Sequence, residues 1–267
     1  MKKGIRGHDV SVKGLCKICK RCREFDIDYL QLVLEKSVDD FEFGKFTEEY
    51  ATSIKEQLDD MKIAILGSYI NPSNSNDDQL RYDIDRFKEK IRYARVLNPI
   101  AVGTETGIYK DGMTDSEEAY QRVLSTFNEL VPYAEENGVN VGIECVHFFV
   151  INTPEKMKRL IDDLNSDNVR VIFDPVNLLN INNYQNQDEI IGKTFDMFAD
   201  RICVIHAKDF TVEDGTFKTA KQTCGELNYQ LIFEKMKEYN LDIPIICEEI
   251  DEETAATAFG NMEIMKK

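Results

Sequence analysis

The chain has 267 residues, 42% of them hydrophobic, with a formal net charge of −16. That is apolar material for one sizeable core, and the acidic balance argues against a nucleic-acid partner, whose phosphates are usually met by a basic surface. No apolar run approaches the roughly 20 residues that cross a bilayer. The start, Met1-Lys-Lys-Gly-Ile-Arg-Gly-His-Asp9, has no apolar signal-peptide core, so a cytoplasmic protein with no membrane partner is expected.

Short apolar runs alternate with longer amphipathic stretches throughout. A strand at 3–6 precedes a helix near 12–25. Strands at 28–34, 61–67, 99–103 and 139–145 are followed by helices near 46–60, 78–97, 114–137 and 154–165. Strands at 169–173, 201–206 and 243–248 are followed by helices near 187–199, 227–239 and 252–265. In the first helix Leu15, Ile18, Cys19, Cys22 and Phe25 share helical spacing. The run Cys16-x2-Cys19-x2-Cys22 lacks the nearby fourth cysteine of an iron–sulfur site, so buried thiols on an inner helix face are expected. An odd cysteine count of seven favours reduced thiols.

Helix boundaries carry their own chemistry. Thr153-Pro154-Glu155 places a capping hydroxyl before a proline at the first helical position. Thr114 or Ser116 caps the helix near 114–137, and Asn137-Gly138 ends it. The polar stretch Asn71–Asp78 follows the third strand and reads as a loop rather than a linker. The segment 207–226 reads as the longest loop and a candidate lid. Strands alternating with helices imply a parallel sheet. Eight repeats over 1–267 favour a single-domain α/β (β/α)8 TIM barrel over a doubly wound sheet.

Four polar residues end apolar runs. Val-Gly-Ile runs into Glu144, Val-Ile-Phe into Asp174, Val-Ile into His206 and Ile-Ile-Cys into Glu248. Each has an ordinary reading alone: a salt bridge or cap for Glu144, an Asx turn for Asp174, a satisfied structural imidazole for His206. Together they sit where a barrel gathers the carboxyl ends of its strands at one face. Buried charge needs a partner. Three carboxylates and one imidazole suit one divalent cation: Mn²⁺, Mg²⁺, Co²⁺ or Zn²⁺. Glu249, adjacent to Glu248, is expected to point away from the mouth.

The ordered segments Gly142-Ile-Glu-Cys-Val-His147 with Asn152-Thr-Pro154, Phe173-Asp-Pro-Val-Asn-Leu-Leu179 and His206-Ala-Lys-Asp209 resemble the xylose isomerase-like superfamily of sugar isomerases and epimerases. Gly103-Thr-Glu-Thr-Gly107 and Arg6-Gly-His-Asp9 resemble its pocket-bordering loops. The resemblance implies a divalent ion on Glu144, Asp174, His206 and Glu248, and a ketose-like or polyol substrate. Glu144 and Glu248 would exchange protons with the substrate carbon from opposite faces through a metal-stabilised enediolate. His8, Glu105, His147, Asn177 and Lys208 would orient hydroxyls. The chain departs from the pattern at Asn177, where many members carry His, and at Val212, where ketose 3-epimerases often carry Arg. Its three histidines are too few for the three-zinc site of the DNA-repair endonuclease branch.

No dinucleotide-binding or Walker-type glycine loop is present, and no local Ser–His–Asp signature. After the eighth strand, Ile250-Asp-Glu-Glu253 would repel a phosphate, while Lys208, Lys218 and Lys221 could attract one. The first expectation is a sugar or sugar-phosphate isomerase or epimerase. The alternatives are a keto-inositol-type dehydratase or lyase, which shares the first proton abstraction, and a sugar-binding barrel without turnover. Assembly into a homo-oligomer is left open.

Overall fold

The computed structural model describes residues 1–266. Its elements in chain order are β1 (Lys2–Arg6), α1 (Leu15–Glu24), β2 (Tyr29–Leu32), α2 (Leu34–Ser37), α3 (Glu48–Leu58), β3 (Lys62–Gly67), α4 (Asp77–Leu97), β4 (Ala101–Thr104) and α5 (Glu117–Glu136). Then come β5 (Val141–Glu144), α6 (Pro154–Leu164), β6 (Val169–Phe173), α7 (Gln187–Phe198), β7 (Ile202–Ala207), β8 (Asp209–Glu213), β9 (Thr216–Ala220), α8 (Tyr229–Glu238), β10 (Pro244–Cys247) and α9 (Glu252–Met265). Eight parallel strands close in the order β1-β10-β7-β6-β5-β4-β3-β2. This is the expected (β/α)8 barrel. Among the described residues no helix is long and apolar enough to cross a membrane.

The main core lies between the barrel wall and its helices. On α1, Leu15, Ile18, Cys19 and Cys22 are buried at the spacing of one helix face. Cys16, grouped with the buried thiols by the sequence reading, is exposed, because it falls off that stripe. A second, smaller cluster contains only strand residues, among them Tyr29, Ile65, Ile172, Val204 and Ile246, and fills the barrel interior. Thr153 caps α6 by accepting from the Lys156 backbone N–H. Ser116, not Thr114, caps α5, and Asn137 ends that helix.

Two segments differ from the sequence reading. The expected strand 28–34 stops at Leu32 and turns into the short α2, which carries Glu35 and Lys36 outward. The expected loop 207–226 is largely the antiparallel hairpin β8–β9. It turns at Asp214-Gly215, both at positive φ (49° and 73°), the backbone of a two-residue hairpin turn. The hairpin is anchored at its base. Buried Asp209 accepts from the backbone N–H groups of Phe210 (2.8 Å), Gly225 (2.9 Å) and Leu227 (3.0 Å). Gln222 donates to the carbonyls of Ala207 (2.8 Å) and Glu248 (2.6 Å). These bonds fasten it to the ends of β7 and β10, so its base is part of the wall of the mouth rather than a free lid.

Candidate metal and catalytic site

The carboxyl ends of the strands bring the four strand-end residues together. Glu144 is the last residue of β5, Asp174 follows β6, His206 is the penultimate residue of β7 and Glu248 follows β10. Their side chains are all buried. His206 Nδ1 lies 3.4 Å from Glu144 Oε2, 3.7 Å from Glu248 Oε1 and 4.0 Å from Asp174 Oδ2. Ligand atoms of Glu144, Asp174 and His206 lie within 4.8 Å of one another. Glu248 stands beside that trio, against the imidazole. A cleft of about 200 Å³ has Lys208 and Glu248 in its wall, under the hairpin.

The remaining contacts orient these groups. Asn177 Nδ2 donates to Glu144 Oε1 at 2.5 Å. Asp174 Oδ1 accepts from the Asn177 backbone N–H at 3.0 Å, so the Asx turn and the inward carboxylate coexist in one residue. The Lys208 ammonium sits 3.0 Å from both Asp174 Oδ2 and Glu248 Oε2. Gln31, wholly buried on β2, donates to Glu248 Oε1 at 2.8 Å.

The charges push one another. Burial opposes a proton on His206, but Glu248 and Glu144 outweigh it and lift its pKa to about 9. Burial would raise Glu248, but His206, Lys208 and Arg6 hold it down at about 2. Burial raises Asp174 against the pull of Lys208. The same carboxylates hold Lys208 above its ordinary value despite its own burial.

These residues fit a divalent cation. Neither ring nitrogen of buried His206 makes a hydrogen bond of good geometry; Nδ1 instead faces the three carboxylates, nearest at 3.4 Å, an arrangement that a cation between them would satisfy. Three carboxylates against one ammonium leave two negative charges, which a divalent ion neutralises with His206 neutral. The mixture of oxygen donors with one imidazole matches metals from Mg²⁺ and Mn²⁺ to Zn²⁺.

The other expected site residues spread around the mouth. Glu105 is half-buried after β4, where burial and then Glu144 raise its pKa to about 7. His8 follows β1 and faces Lys36 at 3.5 Å; burial and then Lys36 lower its pKa. His147 approaches the Asn177 carbonyl through Nδ1 at 3.2 Å, and its backbone N–H donates to the same oxygen at 2.7 Å, so it braces the Asn177 loop. Asn177 itself meets Glu144 and, at 3.4 Å, Lys208.

Sequence reasoning missed Gln31 and Tyr69, whose oxygen lies 2.5 Å from Gln31 Nε2. The signal for Gln31 was a lone amide inside the apolar run Tyr29-Leu-Gln-Leu32. Asp9, which pairs with Arg6 (Nε to Oδ2 2.7 Å), also accepts from the Glu249 backbone N–H at 2.7 Å. That contact holds Glu249 at φ 63° with its side chain exposed. Glu249→Gln leaves that backbone contact in place and alters only an exposed side chain at the rim of the cleft, so it is expected to leave metal content and turnover within about threefold of the parent. Loss of metal in Glu249→Gln but not in Glu248→Gln would reverse the assignment.

Residues 19–267 match the sequence profile of the family described as xylose isomerase-like TIM barrel. An uncharacterised protein of Methanocaldococcus jannaschii is 25% identical over 205 residues, covering 75% of this chain and 67% of that protein. The inosose dehydratase of Glaesserella parasuis is 24% identical over 155 residues, covering 52% of this chain and only 50% of that enzyme. Among solved structures, a D-tagatose 3-epimerase-like protein superposes with a TM-score of 0.79 at 21% identity, over 99% of this chain and 97% of that one. The profile spans nearly the whole chain and the barrel carries its fold: the protein belongs to the xylose isomerase-like TIM barrel family.

Proposed function

We propose that the barrel is a single catalytic domain over 1–267, a divalent-metal-dependent isomerase or epimerase of a sugar or sugar phosphate. The observation that carries this reading is the buried His206 imidazole, without a hydrogen bond of good geometry, faced by three carboxylates at the mouth. Glu144, Asp174, His206 and Glu248 would hold the cation. When bound it would polarise a substrate carbonyl and its neighbouring hydroxyl, lowering the cost of charge on oxygen.

The chain's own residues then divide the work. Glu144 and Glu248 both face Nδ1 of His206, and they come from the ends of β5 and β10, which β6 and β7 separate in the barrel order. One carboxylate takes the proton from the carbon next to the carbonyl. The other, entering as the acid, delivers a proton to the opposite face; direction decides which carries it at the start. Asn177 and Gln31 fix the two carboxylates. Lys208 offers an ammonium to a substrate oxygen and offsets the acidic cluster.

A second reading is a dehydratase, supported by the similarity to inosose dehydratase. Glu248 would take the same proton, and Lys208, 3.0 Å away, would protonate a departing β-hydroxyl as water. The test is incubation of the protein and Mn²⁺ in D₂O with a panel of ketoses, ketose phosphates and keto-inositols. Deuterium entering substrate without water loss is the expected result. Entry with loss of one water selects the dehydratase. No exchange with any member would leave a binding barrel and sink the proposal.

A further inference from the structure

We propose that the Tyr69 hydroxyl is a catalytic hydrogen-bond donor to the substrate, and that Gln31 is the residue that positions it. The proposal rests on the proton-transfer reading above and assigns that reaction two residues it did not use.

Tyr69 lies just past β3, and its ring folds back over the strand end. Gly67 makes the room: a Cβ there would stand 2.9 Å from Tyr69 Cε2 and 2.8 Å from Val33 Cγ2, inside any tolerable contact. The residue as a whole keeps 37% of its surface exposed, yet its oxygen reaches inward to Gln31. The Gln31 amide has two N–H donors and two acceptors in reach: Tyr69 Oη at 2.5 Å and Glu248 Oε1 at 2.8 Å. One amide thus ties the phenol to a proposed acid–base carboxylate. The phenol oxygen accepts in this bond, so its own proton is uncommitted; among the described residues it donates to no protein group. Burial, then Glu248, Glu144 and Glu105, push its pKa well up, so the hydroxyl stays protonated and neutral.

A neutral donor beside Glu248 has one evident use. As a carboxylate removes the carbon-bound proton, negative charge grows on the adjacent substrate oxygen. A fixed O–H aimed at that oxygen stabilises the charge as it develops. The phenol keeps its proton: only the carbon-bound proton moves, to the carboxylate.

The test compares the parent with Tyr69→Phe. In D₂O exchange with the ketose the panel selects, kcat should fall by roughly 10²-fold, the cost of removing one preorganised donor. KM should move far less, and metal content and far-UV circular dichroism should be unchanged. The chain has 11 tyrosines and no tryptophan, so tyrosine difference absorption on adding that ketose, or D-fructose where none exchanges, reports the contact directly. Its signal should vanish in Tyr69→Phe.

In a Gln31→Met background the same substitution should cost much less than in the parent, and an undiminished cost would overturn the role of Gln31. A Tyr69→Phe protein with parental kcat and an unchanged difference spectrum would overturn that of Tyr69. If the parent exchanges nothing, the proposed reaction fails by itself. The donor role then stands if the tyrosine signal appears in the parent and disappears in Tyr69→Phe, and falls if the parent shows no signal.

Discussion

Glu144→Gln and Glu248→Gln are each expected to slow carbon–hydrogen exchange by about 10²–10⁴-fold, the usual contribution of a positioned acid or base, even when every molecule holds metal. Glutamine keeps an oxygen that a cation can use but cannot accept a proton. The two losses should arise from different surroundings. Glu144 is oriented by Asn177 at 2.5 Å. Glu248 is oriented by Gln31 at Oε1 and by Lys208 at Oε2, so a glutamine amide there would set its N–H₂ against one of these two donors. The measurement is single-turnover deuterium exchange alongside elemental analysis of bound metal. If saturating Mn²⁺ restores both variants to near-parental rates, the carboxylates serve only to hold the ion and proton transfer moves to Lys208 or to water. Persistent loss at full occupancy, larger than that of Lys208→Met, is the result expected here.

Lys208→Met should produce the largest effect on stability. The ammonium lies 3.0 Å from two buried carboxylates, and removing one partner of such a cluster typically costs about 3–5 kcal/mol because the remaining charges stay buried. At about 2–4 °C per kcal/mol for domains of roughly this size, the metal-free melting temperature should fall on the order of 10 °C. Lys208 has a raised pKa, so its contribution is complete below the unfolded value of about 10.4 and persists across neutral pH. Glu248 is held at about 2. Its contribution is complete above the unfolded value of about 4.3 and fades as pH drops through that interval, so the gap between variant and parent should narrow on acidification. Added Mn²⁺ should recover part of the loss, since a ligand bound only by the folded state stabilises it. A metal-free Lys208→Met protein melting within 2 °C of the parent would show that this cluster relaxes or is solvated.

The barrel and its strand-end residues were legible because buried parallel strands leave an unmistakable rhythm. Val-Ile-Phe ahead of Asp174 and Ile-Ile-Cys ahead of Glu248 are short apolar runs, each followed by a charge, and it is their recurrence in order along the chain that marks them as wall strands ending at the mouth. The orienting residues were harder to see. Gln31 looks like an interruption in an apolar strand until its partner Glu248, just past β10 and more than two hundred positions away, is placed beside it. Tyr69 looks like a loop aromatic until Gly67 is seen to admit its ring. Asn177 was read as a hydroxyl-binding amide, and the bond to Glu144 depends on a loop path that no spacing encodes. The hairpin β8–β9 was legible but overlooked. Val212-Glu-Asp-Gly-Thr-Phe217 places Asp-Gly between alternating side chains, a strong short-range signal for a two-residue turn, and the length of the segment hid it.

Closure of the eight-stranded wall, with β1 paired to β10, also bears on how copies of the chain meet at high concentration. An open sheet offers unpaired backbone on which another chain can add a strand; a closed one offers none. Among the described residues, the exposed sheet border is therefore confined to the hairpin. One side of β8 is occupied, since Glu226 bonds back to the backbone of Phe210 and Val212. What is left is β9, five residues long, with Lys218 in its centre paired to Glu213. A strand so short, with a charge at its midpoint, is a poor template for intermolecular β-pairing, so the long insertion after β7 adds structure at the mouth while exposing little that could seed aggregation.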